Sequence, residues 1–328
     1  MGKLTDVSDL EPRPDTHVLG GLGGVAPRPA LDLLPGKTVT LGERMQVRRL
    51  LPTLGRRMVG AWAFVDHYGP DDVAGTDGMQ VLPHPHTGLQ TVSWLIEGTV
   101  HHRDSLGSDV LFGAGELALM TAGRAISHSE QSPVAHPGLL HGAQLWVALP
   151  DGVRDVAPAF EHHATLPGFV SDGVTATVLM GSLGGATSPG TAYSPLVGVD
   201  LALAAGADVE LPLEPGFEHA VLASSGDSVV EGAPVAHGSM LYLGTGRSTV
   251  RVRAEQPSRL LLLGGEPFEE QIVMWWNFVG RSGDEVAGFR EQWESGERFG
   301  HVDGFEDGER TGAPPMPPVP LKARGRER

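Results

Sequence analysis

Two short stretches carry the residues best suited to chemistry: His84-Pro85-His86 and His128-Ser129-Glu130. Each places two metal-capable side chains at i and i+2. On a β-strand such neighbours point to the same face. Two strands of this kind facing each other would bring His84, His86, His128 and Glu130 to one point, three imidazoles with one carboxylate. Imidazole with carboxylate suits Fe(II), Mn(II), Ni(II), Cu(II) or Zn(II), and a facial set with open positions is how non-haem iron handles O2. Four protein ligands on a six-coordinate ion leave two positions open. A structural zinc would prefer a closed tetrahedron, commonly with cysteine. Half of the 14 histidines fall between residues 84 and 141, which argues against scatter. Pro85 has no backbone donor, so its strand belongs at a sheet edge, where substrate has access.

The neighbouring polar residues read differently. His101, His102, Arg103 and Asp104 follow a hairpin turn at Glu97-Gly98 and either line the mouth of the cavity or form a solvated turn. His136 and His141 read as ordinary loop or surface histidines, and Glu97 as a turn residue. Ser127 and Ser129 flank His128 but point away from it on a strand, which offers no nucleophile arrangement. The loop Gly181-Ser182-Leu183-Gly184-Gly185 lacks the lysine of a phosphate-binding loop.

Strands must position these ligands, and the composition supplies strands. Glycine (46) and proline (26) together exceed a fifth of the 328 residues and punctuate short β-branched and aromatic runs. Such runs include Met45–Leu50, Met58–Asp66, Val92–Ile96, Leu117–Met120 and Ala143–Leu149. The window Ala114–Arg124 resembles His237–Arg247, which implies a repeated plan. The expected fold is all-β, with two antiparallel barrels or sandwiches. The expected organisation is an N-terminal arm over 1–37, a metal-bearing barrel over 38–150 and a linker over 151–189. A second barrel without metal follows over 190–280, then a helix and Pro-rich tail over 281–328. Laying one repeat on the other places Arg251 and Arg253 where His128 and Glu130 stand, and Pro212 and Glu214 where His84 and His86 stand. One metal site is therefore expected, in the first barrel. The run Ile272–Val279 reads as core or interface packing. Asp284–Glu294 reads as an amphipathic helix capped by Asp284, with Val286, Phe289 and Trp293 on one stripe.

Composition also excludes. A net charge of -16 disfavours nonspecific nucleic-acid or anionic-membrane binding. No apolar run approaches the roughly 20 residues of a membrane span, and the N-terminus lacks the pattern of a secretion signal. With no cysteine there is no disulfide and no thiolate chemistry, which fits a cytoplasmic protein.

A wider set of residues resembles the pirin family of bicupins: Phe64–Pro70, His84-Pro85-His86-Thr87-Gly88, Glu97-Gly98, His102–Gly107, Met120–Arg124, Ile126–Glu130 and Leu263–Pro267. The resemblance covers about residues 38–280. It implies a monomer of two cupin barrels with one Fe(II), or another divalent first-row metal, on the residues matching His84, His86, His128 and Glu130. It implies either quercetin 2,3-dioxygenase activity on a flavonol-like substrate or a non-catalytic, redox-sensitive iron protein that binds a protein partner. Glu130, the only carboxylate of the set, is the expected base. The sequence departs from the family pattern at Leu89, where phenylalanine is usual, and at Gln90, where glutamate is usual. Those departures bear on substrate fit and on partners behind the metal, not on the metal itself.

Overall fold

A computed structural model describes residues 29–41, 45–306 and 308–327. Residues 1–28, most of the expected arm, lie outside the described residues. The chain forms two antiparallel barrels, each built from a seven-stranded and a four-stranded sheet. In the first barrel the large sheet runs Ala159–His163, Leu117–Thr121, Leu89–Glu97, Leu139–Ala148, Trp62–Asp72, Met45–Leu51, Lys37–Leu41. Its small sheet runs Gln80–His86, Ile126–Gln131, Thr99–Asp104, Asp109–Gly113. In the second barrel the large sheet runs Pro29–Pro35, Ser239–Gly244, Glu218–Ser225, Ser258–Gly265, Leu196–Leu203, Val174–Met180, Gly168–Ser171. Its small sheet runs Asp208–Pro212, Thr249–Arg253, Ser228–Val230, Ala233–Val235. The two halves thus repeat one strand order, and the repeated windows fall on equivalent strands, Leu117–Thr121 and Ser239–Gly244.

The large sheets pack against each other, so their strands are buried on both faces. This explains the unbroken run Leu260-Leu261-Leu262-Leu263. Leu260 and Leu262 fill the second barrel with Val199, Val221 and Val250. Leu261 and Leu263 face the other way, into a core shared with Trp62, Met58 and Leu145 of the first barrel. Trp62 is fully buried there, and its indole N–H donates to the carbonyls of Val197 (3.2 Å) and Gly264 (3.0 Å). Gly198 is glycine because a Cβ would stand 3.0 Å from the Trp62 ring. Truncating such a side chain to alanine costs about 3–5 kcal/mol.

Three sequence expectations change. The part of the arm that is described, Pro29–Pro35, is a strand of the second barrel, paired with Ser239–Gly244. The stretch 151–189 is not a bare linker: Ala159–His163 closes one edge of the first barrel's large sheet, and Gly168–Ser171 and Val174–Met180 close an edge of the second. The helix spans Gly283–Glu294, and its cap is Ser282, whose hydroxyl accepts the Glu285 N–H (3.2 Å); Asp284 lies in the first turn instead. Val286, Phe289 and Trp293 are its buried stripe, as the periodicity predicts. The stripe packs on the hairpin of Val273–Trp275 and Phe278–Gly280, and Ala313, Met316 and Leu321 of the Pro-rich tail join the same cluster. The tail ends as a strap: Arg324 bridges Ile272, and Arg326 pairs with the buried Glu218. No helix among the described residues is long and apolar enough to cross a membrane.

Candidate metal centre

The small sheet of the first barrel assembles the site. Gln80–His86 is its edge strand, which is where Pro85 can sit without costing a ladder bond. Ile126–Gln131 pairs with it so that His128 lies opposite His84 and Ile126 opposite His86. One potential ligand atom from each of His84, His86 and His128 lies within 4.8 Å of the others, and all three residues are buried. Their ring centroids are 4.4–5.0 Å apart.

Beyond His128 the pairing slips: Glu130 stands opposite Val81, so the Gln80–His86 strand bulges around Leu82 and Pro83. The bulge turns the Leu82 carbonyl onto His84 Nδ1 (2.9 Å). The Pro83 carbonyl accepts the Thr311 N–H (2.8 Å), which ties the tail to the site. The Asn277 carbonyl, at the tip of the hairpin packed on the helix, lies 3.0 Å from His86 Nδ1. A carbonyl only accepts, so Nδ1 of both His84 and His86 carries the proton and Nε2 keeps the lone pair. Burial lowers the pKa of His84 to about 4. Burial, helped by the neighbouring imidazoles, holds His86 and His128 well below the ordinary histidine range. All three are neutral at pH 7, the form that binds metal. His128 Nε2 is buried with no hydrogen-bond partner among the described residues. A buried polar atom left in this state costs free energy, and a divalent ion would relieve it. The donor set and this orphan nitrogen together fit a divalent metal.

Glu130 is buried beside the triad but groups with His128 and His102 rather than with all three imidazoles. Its Oε1 accepts from the Ser93 hydroxyl at 2.5 Å. Burial raises its pKa, partly offset by the Ser93 bond and by His102. Trp146 stands edge-on to His86 at 5.2 Å and stacks on Phe64 at 4.1 Å, which makes an apolar wall.

The strand Thr99–Asp104 alternates, so His102 and Asp104 point inward while His101 and Arg103 point out. His101 bonds the exposed Asp109, and Arg103 bonds Gln131 and lies over Phe305 at 4.4 Å. His136 is a half-buried loop residue. His141 is not: it is buried at the seam between barrels, its Nε2 3.0 Å from His67 Nε2 and from the Ser224 carbonyl. Gln90 is buried away from the ligands, where its amide donates to Thr121 Oγ1 (2.9 Å) and the Thr191 carbonyl (3.0 Å); Leu89 is fully buried. Ser93, Trp146 and the carbonyls of Leu82 and Asn277 had no distinguishing sequence signal. A backbone acceptor leaves no trace in residue type.

The repeat alignment placed Arg251 and Arg253 at the equivalents of the ligands, and the structure shifts that register. Both arginines face solvent and pair with Asp208. The inward positions of the same strand are Val250 and Val252, and those of its neighbour are Val209 and Leu211.

Comparison with known proteins agrees with this architecture. The family model for pirin matches residues 44–147, and that for the pirin C-terminal cupin domain matches residues 198–300. A Pseudomonas aeruginosa protein with the provisional name quercetin 2,3-dioxygenase is 45% identical over 288 residues, 88% of this chain and 91% of its own. A pirin-like protein of Caulobacter vibrioides is 38% identical over 76% of this chain and 88% of its own. The crystal structure of a quercetin 2,3-dioxygenase from Acinetobacter baumannii superposes with a TM-score of 0.86 at 41% identity, covering 89% of this chain and 97% of that one.

Proposed function

The chain belongs to the pirin family, and on that footing we propose that it is a metal-dependent dioxygenase of the quercetin 2,3-dioxygenase type, cleaving the ring of a flavonol or related enol with O2. The observation that carries this reading is the trio of neutral imidazoles, two of them with Nδ1 tied to carbonyls, beside a buried carboxylate. The names of the relatives above support the substrate class. His84, His86 and His128 would hold the metal through Nε2, with Glu130 as the fourth ligand. Fe(II) is the proposed ion, with other divalent first-row metals as alternatives. When bound, it supplies a Lewis-acidic template and a path for electrons between substrate and O2.

The protein's own residues do the rest. Ser93 holds Glu130 Oε1, which leaves Oε2 to take the proton of the substrate hydroxyl. Burial makes Glu130 a stronger base than an exposed glutamate, closer to the match between pKa and working pH that general-base catalysis favours. Trp146 and Phe64 keep water from the His86 side. The same reading places the protein in the cytoplasm as a monomer.

The test is metal content and O2 uptake on anaerobically purified, Fe(II)-loaded protein across a panel of flavonols. The expected result is a single metal ion per chain and metal-dependent uptake with at least one flavonol. A fully loaded protein inert across the panel would replace the dioxygenase with a non-catalytic metal protein that acts on a protein partner.

A further inference from the structure

We propose that Asp104 and His102 form a hydrogen-bond relay behind His128 that decides which nitrogen of His128 faces the metal, and so sets how tightly the metal is held. This rests on the metal reading above and concerns residues that reading leaves idle.

The strand register delivers the parts. Thr99–Asp104 lies on the far side of Ile126–Gln131, with Asp104 opposite His128 and His102 opposite Glu130. Inside the barrel, His102 Nε2 is 3.1 Å from Asp104 Oδ2, and His102 Nδ1 is 3.4 Å from His128 Nδ1. The His102 ring is stacked on Phe160, with centroids 4.0 Å apart and planes 7° from parallel, so its orientation is fixed. All of these polar groups are buried.

Proton placement then follows from donor and acceptor chemistry. Asp104 Oδ1 accepts the N–H groups of Leu106 (2.8 Å) and Ser108 (3.1 Å), as an ionised carboxylate does. In an ionised Asp104 the Oδ2 accepts as well, so His102 Nε2 carries the proton. An imidazole that carries its proton on Nε2 keeps its lone pair on Nδ1. That lone pair accepts the proton of His128 Nδ1, and His128 is left with its lone pair on Nε2. His128 Nε2 is buried and has no partner among the described residues. The chain of donors thus ends at the one place a metal would bind. His84 and His86 reach the same tautomer through neutral carbonyls. Only His128 is backed by a carboxylate, which raises ligand basicity and lets one ligand be tuned apart from the others. The rival reading is that His102 is itself a ligand, because it also lies within 4.8 Å of His128 and Glu130.

The experiment compares wild type with Asp104→Asn, His102→Leu, His102→Gln and, as an outward-facing control, His101→Ala. Dissociation constants for Zn(II) are measured by chelator competition on the full chain. The number of coordinating imidazoles is read by pulsed EPR on the Cu(II)-loaded proteins. Asparagine keeps an oxygen for the Leu106 and Ser108 bonds but presents an N–H to His102. That reverses every proton in the relay and puts a hydrogen on His128 Nε2. Zn(II) affinity is expected to fall about 10–100-fold in Asp104→Asn and His102→Leu, the usual cost of losing a partner behind a ligand. His102→Gln should stay within a few-fold of wild type, because its amide can accept from His128 and donate to Asp104. A purely structural role for His102 would not be rescued by this change. The imidazole count should stay at the wild-type value in every variant that loads.

Wild-type affinity in both Asp104→Asn and His102→Leu would overturn the relay and leave the metal reading intact. A count one lower in His102→Gln would overturn it in favour of His102 as a ligand. A wild-type protein that binds no divalent metal would remove the metal reading and the relay with it.

Discussion

The two barrels share a strand order and differ in what fills them. In equivalent positions of the small sheets, Ile126–Gln131 turns His128 and Glu130 inward, and Thr249–Arg253 turns Val250 and Val252 inward. Gln80–His86 contributes His84 and His86 where Asp208–Pro212 contributes Val209 and Leu211. An interior of valine and leucine stabilises the barrel by burial alone. An interior of imidazoles and carboxylates must satisfy each polar atom or bear its desolvation cost. The first barrel does this in part with hydrogen-bond partners drawn from far away in sequence. His86 depends on Asn277, which lies beyond the second barrel, and the bulge beside His84 is pinned by Thr311 of the tail. The segments that follow the second barrel therefore help to frame a site that lies in the first.

The strongest challenge to this contrast is to strip ligands from one barrel and offer one to the other. His86→Ala should lose metal and turnover together. Val252→Glu should gain no metal, because its inward neighbours Val209, Leu211 and Val250 supply no imidazole. Elemental analysis of both variants checks this. Metal retained in His86→Ala but lost on changes confined to the second barrel would reverse the assignment.

A finer cut separates holding the metal from using it. Glu130→Gln keeps shape and an oxygen while removing charge and basicity. Turnover should fall by roughly 10^2–10^4, the size of a general-base contribution, while metal affinity falls less. Equal losses in both would make Glu130 a ligand only.

What could be read before the structure, and what could not, follows the same divide. His84, His86, His128 and Glu130 stood out because a strand has a period of two, so ligand spacing survives as a pattern of residue types. The runs Val92–Ile96, Leu117–Met120 and Ala143–Leu149 announced strands, and each lies on one to within a residue. The second barrel's register did not follow, because matching by steps from Arg124 and Arg247 assumes equal turns, and the true inward residues are one position away at Val250 and Val252. The stretch 151–189 resembled a linker because its strands are short and bounded by glycine and proline, and their partners are distant in the chain. His141 looked peripheral because its burial depends on the other barrel, through Ser224. Ser93 and the carbonyls of Leu82 and Asn277 do their work through geometry that residue identity does not record.

A core substitution in the apolar barrel tests how independent the two are. Leu262 is fully buried in the second barrel. Leu262→Ala should lower unfolding stability by about 2–5 kcal/mol, measured by urea denaturation, with metal content unchanged while the protein stays folded. Release of metal from folded Leu262→Ala would show that the second barrel and the site are coupled through packing.

The smallest effect lies at the seam where the barrels meet. His67, on Trp62–Asp72 of the first barrel, is buried against His141, the Ser224 carbonyl and His237, with Arg48 and Asp71 lining the same cavity of about 280 Å³. Burial, reinforced by His141 and His237, lowers its pKa from 6.5 to about 3. Between those values the unfolded chain binds a proton that the folded chain does not. The associated stability is complete above pH 6.5, falls as pH drops toward 3 and is flat below. One proton corresponds to a slope of at most about 1.4 kcal/mol per pH unit. His219 of the second barrel, lowered to about 4 by burial, titrates in the same direction, as does the candidate ligand His84. Comparing metal-free wild type with metal-free His67→Phe removes these shared contributions. The variant should lose stability less steeply on acidification through this window, read as a shift in urea midpoint against pH. Parallel curves would mean that His67 takes up its proton in the folded protein and that the seam opens by another route.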